Sequence, residues 1–389
     1  MKKIFYITIS LFLINIINIK AQDLNAITTA TPFLLIAPDA RSGGMGDMGV
    51  ATSPDAYSQH YNAAKFAFSE SQFTTGVNYT PWLRNLTNDV FLGNVVFSNK
   101  INDYSAWGAS LSYFSLGSID LTDDIGTPIG VEKPNDFSID GSYSLKLNDG
   151  LAMGVTLRYI RSDMSIKIAE IQNLNTVNTF AADLGVYYQS EETNFGDFNG
   201  RWRGGLSLAN LGPKVQLSVG GQKSFIPTNM RLGLGFDFIL DDTSVVKATL
   251  ESTKLLVPTP PLRDRNDVDG DGDTTEILEG KDNDVDFFSG MIQSFGDAPG
   301  GFSEEMKEFT WSAGAEYVFD ETFAFRLGYF NESDIKGARK FFTLGAGFKF
   351  KSSNIDVSYL LNSSDVNNPL ENTLRFSISF DFGDIYEEF

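Results

Sequence analysis

The stretch Asn372-Thr-Leu-Arg-Phe-Ser-Ile-Ser-Phe-Asp-Phe382 decides the fold. Leu374, Phe376, Ile378, Phe380 and Phe382 alternate without a break with Thr373, Arg375, Ser377, Ser379 and Asp381. A helix would scatter the five apolar side chains around its surface, whereas a strand puts all of them on one face. Roughly ten residues exceeds the usual globular strand of about five or six and suits a strand crossing a membrane at a tilt of about 45°.

The pattern recurs along the chain. Leu151, Met153, Val155, Leu157 and Tyr159 alternate with Ala152, Gly154, Thr156 and Arg158, and Leu232, Leu234, Phe236, Phe238 and Leu240 repeat the pattern against Gly233, Gly235, Asp237 and Ile239. Segments 180–188 and 323–329 follow the same rule. In each, glycine and the sparse charges share the face opposite the bulky residues. A soluble sandwich would bury its bulky face and carry charge outside; here the second face suits a lumen and the apolar face suits lipid.

The 389 residues include 36 Gly, 33 Phe and 14 Tyr but no Cys, which leaves no lipid-anchor cysteine, disulfide framework or thiolate metal site. The formal net charge of -20 argues against nucleic acid, whose phosphates need a basic footprint. The one continuous apolar run follows Lys2 and Lys3, and residues 1–21 read as a secretory signal peptide cut after Ala21. The composition and the strands together predict an all-β chain: a transmembrane antiparallel β-barrel of about fourteen strands, which satisfies its backbone between strands.

Residues 22–70 lack the strand pattern, carry Pro32, Pro38 and Pro54, and are expected to form a plug or lumen-associated lead-in, with short helix starts at Asp55-Ala56 and Asn62 to Ala64. The barrel is expected over 71–389, with strands near 71–81, 89–99, 103–116, 136–147, 150–162, 177–189, 201–211, 228–240, 243–254, 309–319, 322–331, 340–350, 354–362 and 371–382. Short turns at 99–102, 148–149, 241–242, 320–321 and 351–353 alternate with long loops at 117–135, 163–176, 212–227, 255–308, 332–339 and 363–370. Short turns belong to the periplasmic side and long loops to the outside, with both termini periplasmic. Residues 190–200 are the exception, a long connection where a short one is expected.

Several constellations bear on chemistry. Gly44, Gly46 and Gly49 spell G-x-G-x-x-G, but no strand leads into them and no βαβ unit follows, so tight backbone turns explain them and no cofactor is expected. His60 is the only histidine, which removes histidine-based metal clusters and leaves a lipid-acting hydrolase a single candidate base. Asp267, Asp269, Asp271 and Asp273 open like a calcium loop, but its twelfth position is Leu278 and the closing carboxylate, Glu279, comes one residue later; the alternatives are a structural Ca²⁺ and a solvated acidic tip. The same loop has a proline-stiffened patch, Pro258, Pro260 and Pro261, and an aromatic one, Phe287, Phe288, Phe295 and Phe302, read as partner-binding residues or as a lid.

The segments Phe33 to Gly46, Asp55-Ala56, Asn62 to Ala64, Val257-Pro-Thr-Pro-Pro261 and Gln293-Ser-Phe-Gly-Asp297-Ala-Pro-Gly-Gly301-Phe302-Ser-Glu-Glu305 resemble the PorV family of the type IX secretion system. The resemblance implies a fourteen-stranded, FadL-like outer-membrane barrel of Bacteroidetes-type bacteria that is not an enzyme. It also implies that the barrel binds the C-terminal signal domain of secreted cargo at a giant SprA-type translocon barrel and shuttles it to a surface attachment complex. The acidic run at 267–273 belongs to no motif of that resemblance. The other readings are a FadL-like transporter of hydrophobic small molecules, which would need an apolar lumen pocket, and a lipid-acting enzyme.

Overall fold

A computed structural model describes residues 25–83, 87, 89–123, 125–164, 174–264, 275–364 and 371–385. The expected signal peptide and the acidic run 267–273 lie outside the described residues. Fourteen long strands run β1 (Ser71–Pro81), β2 (Val90–Asn102), β3 (Ser105–Leu116), β4 (Asn135–Asn148), β5 (Leu151–Asp163), β6 (Thr176–Gln189), β7 (Asn199–Leu211), β8 (Asn229–Asp241), β9 (Ser244–Leu255), β10 (Phe309–Phe319), β11 (Phe323–Asn331), β12 (Lys340–Phe350), β13 (Ser353–Asn362) and β14 (Leu374–Ile385). Each pairs antiparallel with its neighbours, and β1 pairs with β14, with Val77 opposite Ile378 and Tyr79 opposite Phe376. Closure removes both sheet edges, so every strand has two partners for its backbone.

The faces sort as the alternation requires. On β14 Phe376, Ile378, Phe380 and Phe382 are exposed on the outer wall, while Arg375, Ser377 and Ser379 are buried inside. Aromatic side chains concentrate in two outer bands. Phe73, Phe97, Trp107 and Phe382 lie near the short-turn rim, and Tyr79, Phe91 and Tyr113 lie near the long-loop rim, where Trp311, Tyr329 and Phe342 continue the band. Phe73 and Tyr79 are six residues apart on one strand, about 20 Å of rise. Two aromatic girdles flanking an apolar belt are the mark of a barrel seated in a bilayer.

The strand ends differ from the expected ones where side chains reset the turns. The turn expected at 99–102 falls instead after Asn102, because Asn102 Oδ1 accepts from the amides of Tyr104 and Ser105 and from the Ser105 hydroxyl. Lys100 remains in the wall, its Nζ donating to the Ser69 carbonyl at 2.8 Å. The last strand begins at Leu374 rather than 371, since Asn372 has a φ of 58° that no strand accepts. Two expected loops hold structure of their own. A hairpin of Ile119–Thr122 and Pro128–Glu132 rises from 117–134, and another, Leu262–Arg263 with Ile277–Glu279, lies in 256–308. In the long connection between β6 and β7, Thr193–Asn194 pairs back on Asn199 and Gly200.

Residues from Phe33 to Phe68 pack against the inner face of the wall, with Asn25 reaching the Ile335 carbonyl and Glu304 of the long loops. They contain α1 (Ala40–Gly43), capped by the Asp39 side chain on the Ser42 amide at 2.8 Å, α2 (Ser58–Tyr61) and a 3-10 turn (Ala63–Phe68) started by the Asn62 side chain on the Ala64 amide. Wall glycines make the room. A Cβ on Gly328 would stand 2.2 Å from the Gly46 nitrogen, and one on Gly205 would stand 2.1 Å from the Val50 oxygen.

Candidate functional site: interior ties and the long loop

Two regions concentrate buried polar chemistry, the barrel interior and the loop between β9 and β10. In the interior, inward arginines pair with inward carboxylates. Arg158 meets Asp140 and Asp183 at 3.0 Å each, Arg203 meets Asp237 at 2.7 Å, and Arg326 meets Glu316 and Asp356 at 2.7 Å each. Others tie the interior segment to the wall: Arg41 to Glu316 at 2.9 Å, and Asp47 to Arg375 at 2.5 Å. The amides of Gly49 and Val50 both donate to Glu251 Oε2 at 2.8 Å, and the Gly46 amide donates to Thr343 Oγ1 at 2.9 Å. Two of the three glycines of the G-x-G-x-x-G spelling thus have their amides committed to the wall, so they serve close packing rather than a phosphate. His60 sits at the end of α2 with its ring edge-on to Tyr61 and its carbonyl accepting from Arg231.

The interior is not uniform from rim to rim. Toward the long loops Phe33, Leu34 and Ile36 of the interior segment pack on Leu92, Phe114, Ile160 and Ile226 of the wall and adjoining loop. This apolar layer was missed in the sequence because it comes from strand ends, where the expected lumen residues were polar. Toward the short turns a polar vestibule of about 290 Å³ opens, lined among others by Arg41, Asp55, Lys247, Glu316, Arg326 and Asp356.

The described residues of the loop between β9 and β10, 256–264 and 275–308, are folded rather than draped. Leu256 and Val257 are buried as the chain leaves the wall, and Pro258 and Phe225 lie buried against Gly290 at the middle of the loop's main helix, α3 (Phe287–Gln293). Pro260 and Pro261 are half-buried. Pro258 therefore shapes the loop's root, while Pro260 and Pro261 keep part of their surface exposed. Asp286 caps α3 on the Ser289 amide at 3.1 Å, and Lys214 of the neighbouring loop donates to Asp284 at 2.8 Å and to the Val285 carbonyl at 3.0 Å. Gly301, with a φ of 64°, makes the turn into α4 (Phe302–Glu305), a conformation that favours glycine.

Beneath the loop lies a buried charge cluster assembled from three distant segments. Lys254, at the end of β9 and wholly buried, pairs with Glu305 at 3.3 Å and Glu308 at 2.5 Å. Lys336, from the next long loop, pairs with Glu304 at 2.6 Å and Glu308 at 3.0 Å. Glu305 Oε1 accepts from the amides of Asp297 and Ala298 at 2.6 and 2.8 Å, Glu308 accepts from the Thr259 hydroxyl, and Asp297 Oδ2 accepts from the Thr259 amide at 3.1 Å. Burial first, and the Glu305 charge next, push the Asp297 carboxyl up to about 6 against the Thr259 amide. None of these lysine partnerships was legible in the sequence, since residues 254, 297, 305 and 336 meet only after the barrel closes. The one available sign was four carboxylates, at 297, 304, 305 and 308, close to the exposed aromatic residues at the end of the loop.

Removing Lys254 tests whether this cluster holds the loop. Lys254→Met should leave Glu305 and Glu308 short of a buried counter-charge, a class of change that costs roughly 3–5 kcal/mol. The expected result is rapid protease cleavage within 256–308 with the barrel intact; an unchanged cleavage rate would show that the loop is held elsewhere.

Outside the cluster the loop leaves large apolar side chains in the open. Phe288 and Ile292, one turn apart on α3, are 69% and 71% exposed, and Phe302 is 80% exposed; Phe295 and Met306 are exposed as well. Phe287 is half-buried, its ring edge-on to Phe288. Of the expected metal residues only Glu279 lies among the described residues, exposed at the end of the loop hairpin opposite Leu262.

Closed strand order, an apolar outer belt between aromatic girdles and a polar, filled interior define an outer-membrane β-barrel. Residues 19–262 match the family described as Type IX secretion system protein PorV, and the chain belongs to that family. The match spans β1 to β9 and ends at the root of the long loop. No curated protein matches the sequence. Among solved structures, the chain is similar to a deltaS2S3 mutant of TodX, a monoaromatic hydrocarbon channel from Pseudomonas putida, at 11% identity, covering 88% of this chain and 99% of that one with a TM-score of 0.52. It is also similar to a Pseudomonas aeruginosa FadL homologue (13% identity, 89% and 98% covered, TM-score 0.45) and to the Ralstonia pickettii toluene transporter TbuX (12% identity, 90% and 100% covered, TM-score 0.45). At such identities the TodX likeness speaks for the fold alone.

Proposed function

We propose that this barrel is a cargo carrier of type IX secretion, with the long-loop rim outside the cell, and that the loop 256–308 docks the C-terminal signal domain of secreted proteins. In this reading the barrel receives cargo at a giant translocon barrel and passes it to a surface attachment complex. Family membership supports the secretion role, and one observation carries the loop's part in it. A loop rigidified by buried ion pairs nevertheless presents Phe288, Ile292 and Phe302 to water. Holding apolar side chains exposed on a stiff support costs solvation, and it lowers the entropy lost on docking. No step of this function calls for a catalytic residue or a cofactor.

The test is affinity isolation of a tagged chain from native membranes in mild detergent. Recovery of a very large barrel and of secreted proteins bearing the signal domain supports the carrier. Recovery of the barrel alone, with loss of uptake of small aromatic hydrocarbons when the gene is deleted, would favour the transporter reading. That second reading draws on the apolar layer around Phe33 and Phe114 and on the TodX-like fold.

A further inference from the structure

We propose that Asp297, Glu305 and Glu308 form a binding site for a hard divalent cation, with Ca²⁺ the natural fit, which clamps the two roots of the long loop together. The site is distinct from the acidic run at 267–273, and it stands whether or not the loop docks cargo.

The geometry is the first support. Each of the three side chains offers a carboxylate oxygen, and these oxygens lie within 4.8 Å of one another. Two ligands on opposite sides of a Ca²⁺ at its usual distance of about 2.4 Å stand about 4.8 Å apart, so the oxygen spacing suits an ion, with the Lys254 ammonium, 3.3 Å from Glu305 and 2.5 Å from Glu308, moving aside to admit it. The second support is independent of the clustering. Asp297 is 1% exposed; its Oδ2 accepts from the Thr259 amide and the Gln293 side chain bears on the carboxyl, but its Oδ1 has no donor at bonding distance. A buried carboxylate oxygen without a partner is a costly thing to keep, and an ion is a partner it could take.

Charge bookkeeping agrees. Four carboxylates gather here, from Asp297, Glu304, Glu305 and Glu308, and two ammonium groups face them, from Lys254 and Lys336, which leaves two negative charges over. The lysines allow the acids to assemble before an ion arrives, and the excess is what one divalent cation offsets. All-oxygen donors select a hard ion over zinc or copper. Turn carbonyls and water would complete a coordination shell of six to eight. Asp297 opens the turn ahead of α4, and Glu305 and Glu308 precede β10, so an ion here would tie that turn to the start of the strand, beside Thr259 at the exit of β9.

The experiment uses the full-length protein in detergent, stripped with chelator and dialysed against ⁴⁵Ca²⁺. Stoichiometry is read together with the rate of protease cleavage in 256–308. Wild type should bind in the range of about 10⁻⁴ to 10⁻³ M or tighter, as extracellular sites do, and cleavage should slow as the site fills. Asp297→Asn keeps the side chain's shape and should weaken that binding at least tenfold, while Asp297→Glu should restore part of it. A variant with Asp267, Asp269, Asp271 and Asp273 all changed to Asn should retain the same component. Retained heat-modifiable migration on a gel verifies that each variant is folded. Wild-type binding by Asp297→Asn, loss of all binding in the four-Asn variant, or no bound Ca²⁺ at 10⁻² M would each overturn the proposal.

Discussion

Changing Phe288, Ile292 and Phe302 to Ser together should abolish co-isolation of cargo and strand secreted proteins inside the cell, while the barrel inserts and migrates as wild type. The three side chains are 69%, 71% and 80% exposed, so they contribute little to folding, and surface changes of this kind usually shift stability by about 0.5 kcal/mol or less. In an interface the same residues would be the central anchors. Aromatic anchors such as Phe288 and Phe302 commonly contribute about 2 kcal/mol or more each, so losing them together with Ile292 should weaken cargo binding by at least about 100-fold. The protease pattern of the loop should not change, since the Lys254 and Lys336 ion pairs beneath it are untouched. Normal secretion by a correctly inserted triple variant would assign cargo binding to another surface.

The second large effect concerns the barrel interior. Gly328→Leu should unseat the interior segment, lower the temperature at which the barrel unfolds, and raise the ion conductance of the protein in planar bilayers. A Cβ at this position would lie 2.2 Å from the Gly46 nitrogen and 2.2 Å from the Met45 carbonyl carbon. Both are backbone atoms, and Gly46 is held on each side: its amide donates to Thr343 Oγ1 at 2.9 Å, and its carbonyl accepts from the Ser312 hydroxyl at 2.7 Å. Overpacking of this type costs about 1–3 kcal/mol where side chains can yield, and more where backbone must move. Gly205→Leu should act the same way through Val50. Gly141→Leu is the control, because that glycine faces outward with open space around it. Equal conductance in all three variants would show that the segment does not obstruct the lumen.

The wall was legible in the sequence because period two, read in lipid, assigns every side chain to one of two media. That rule located all fourteen strands, and the ends it missed were set by local chemistry it does not carry. Asn102 folds its carboxamide over the next turn, and Asn372 takes a left-handed conformation. The contents of the barrel were harder to read. Gly328 and Gly205 appear in the sequence only as small residues on the inner face, and their meaning lies in Gly46 and Val50, distant in chain order. The aromatic loop was recognisable by composition, but which rings face water depends on where Pro258 and Phe225 support α3. Its buried cluster was not legible, because the acids look like ordinary surface charge until Lys254 and Lys336 are brought beneath them.

The most direct test of the carrier account is photo-crosslinking in living cells with a benzophenone amino acid in place of Phe302. The account predicts an ultraviolet-dependent adduct between this chain and the C-terminal signal domain of secreted proteins, absent when the reporter replaces Leu157 on the lipid-facing wall of β5. Adducts of equal yield at both positions, or none to any secreted protein while secretion proceeds normally, would contradict it.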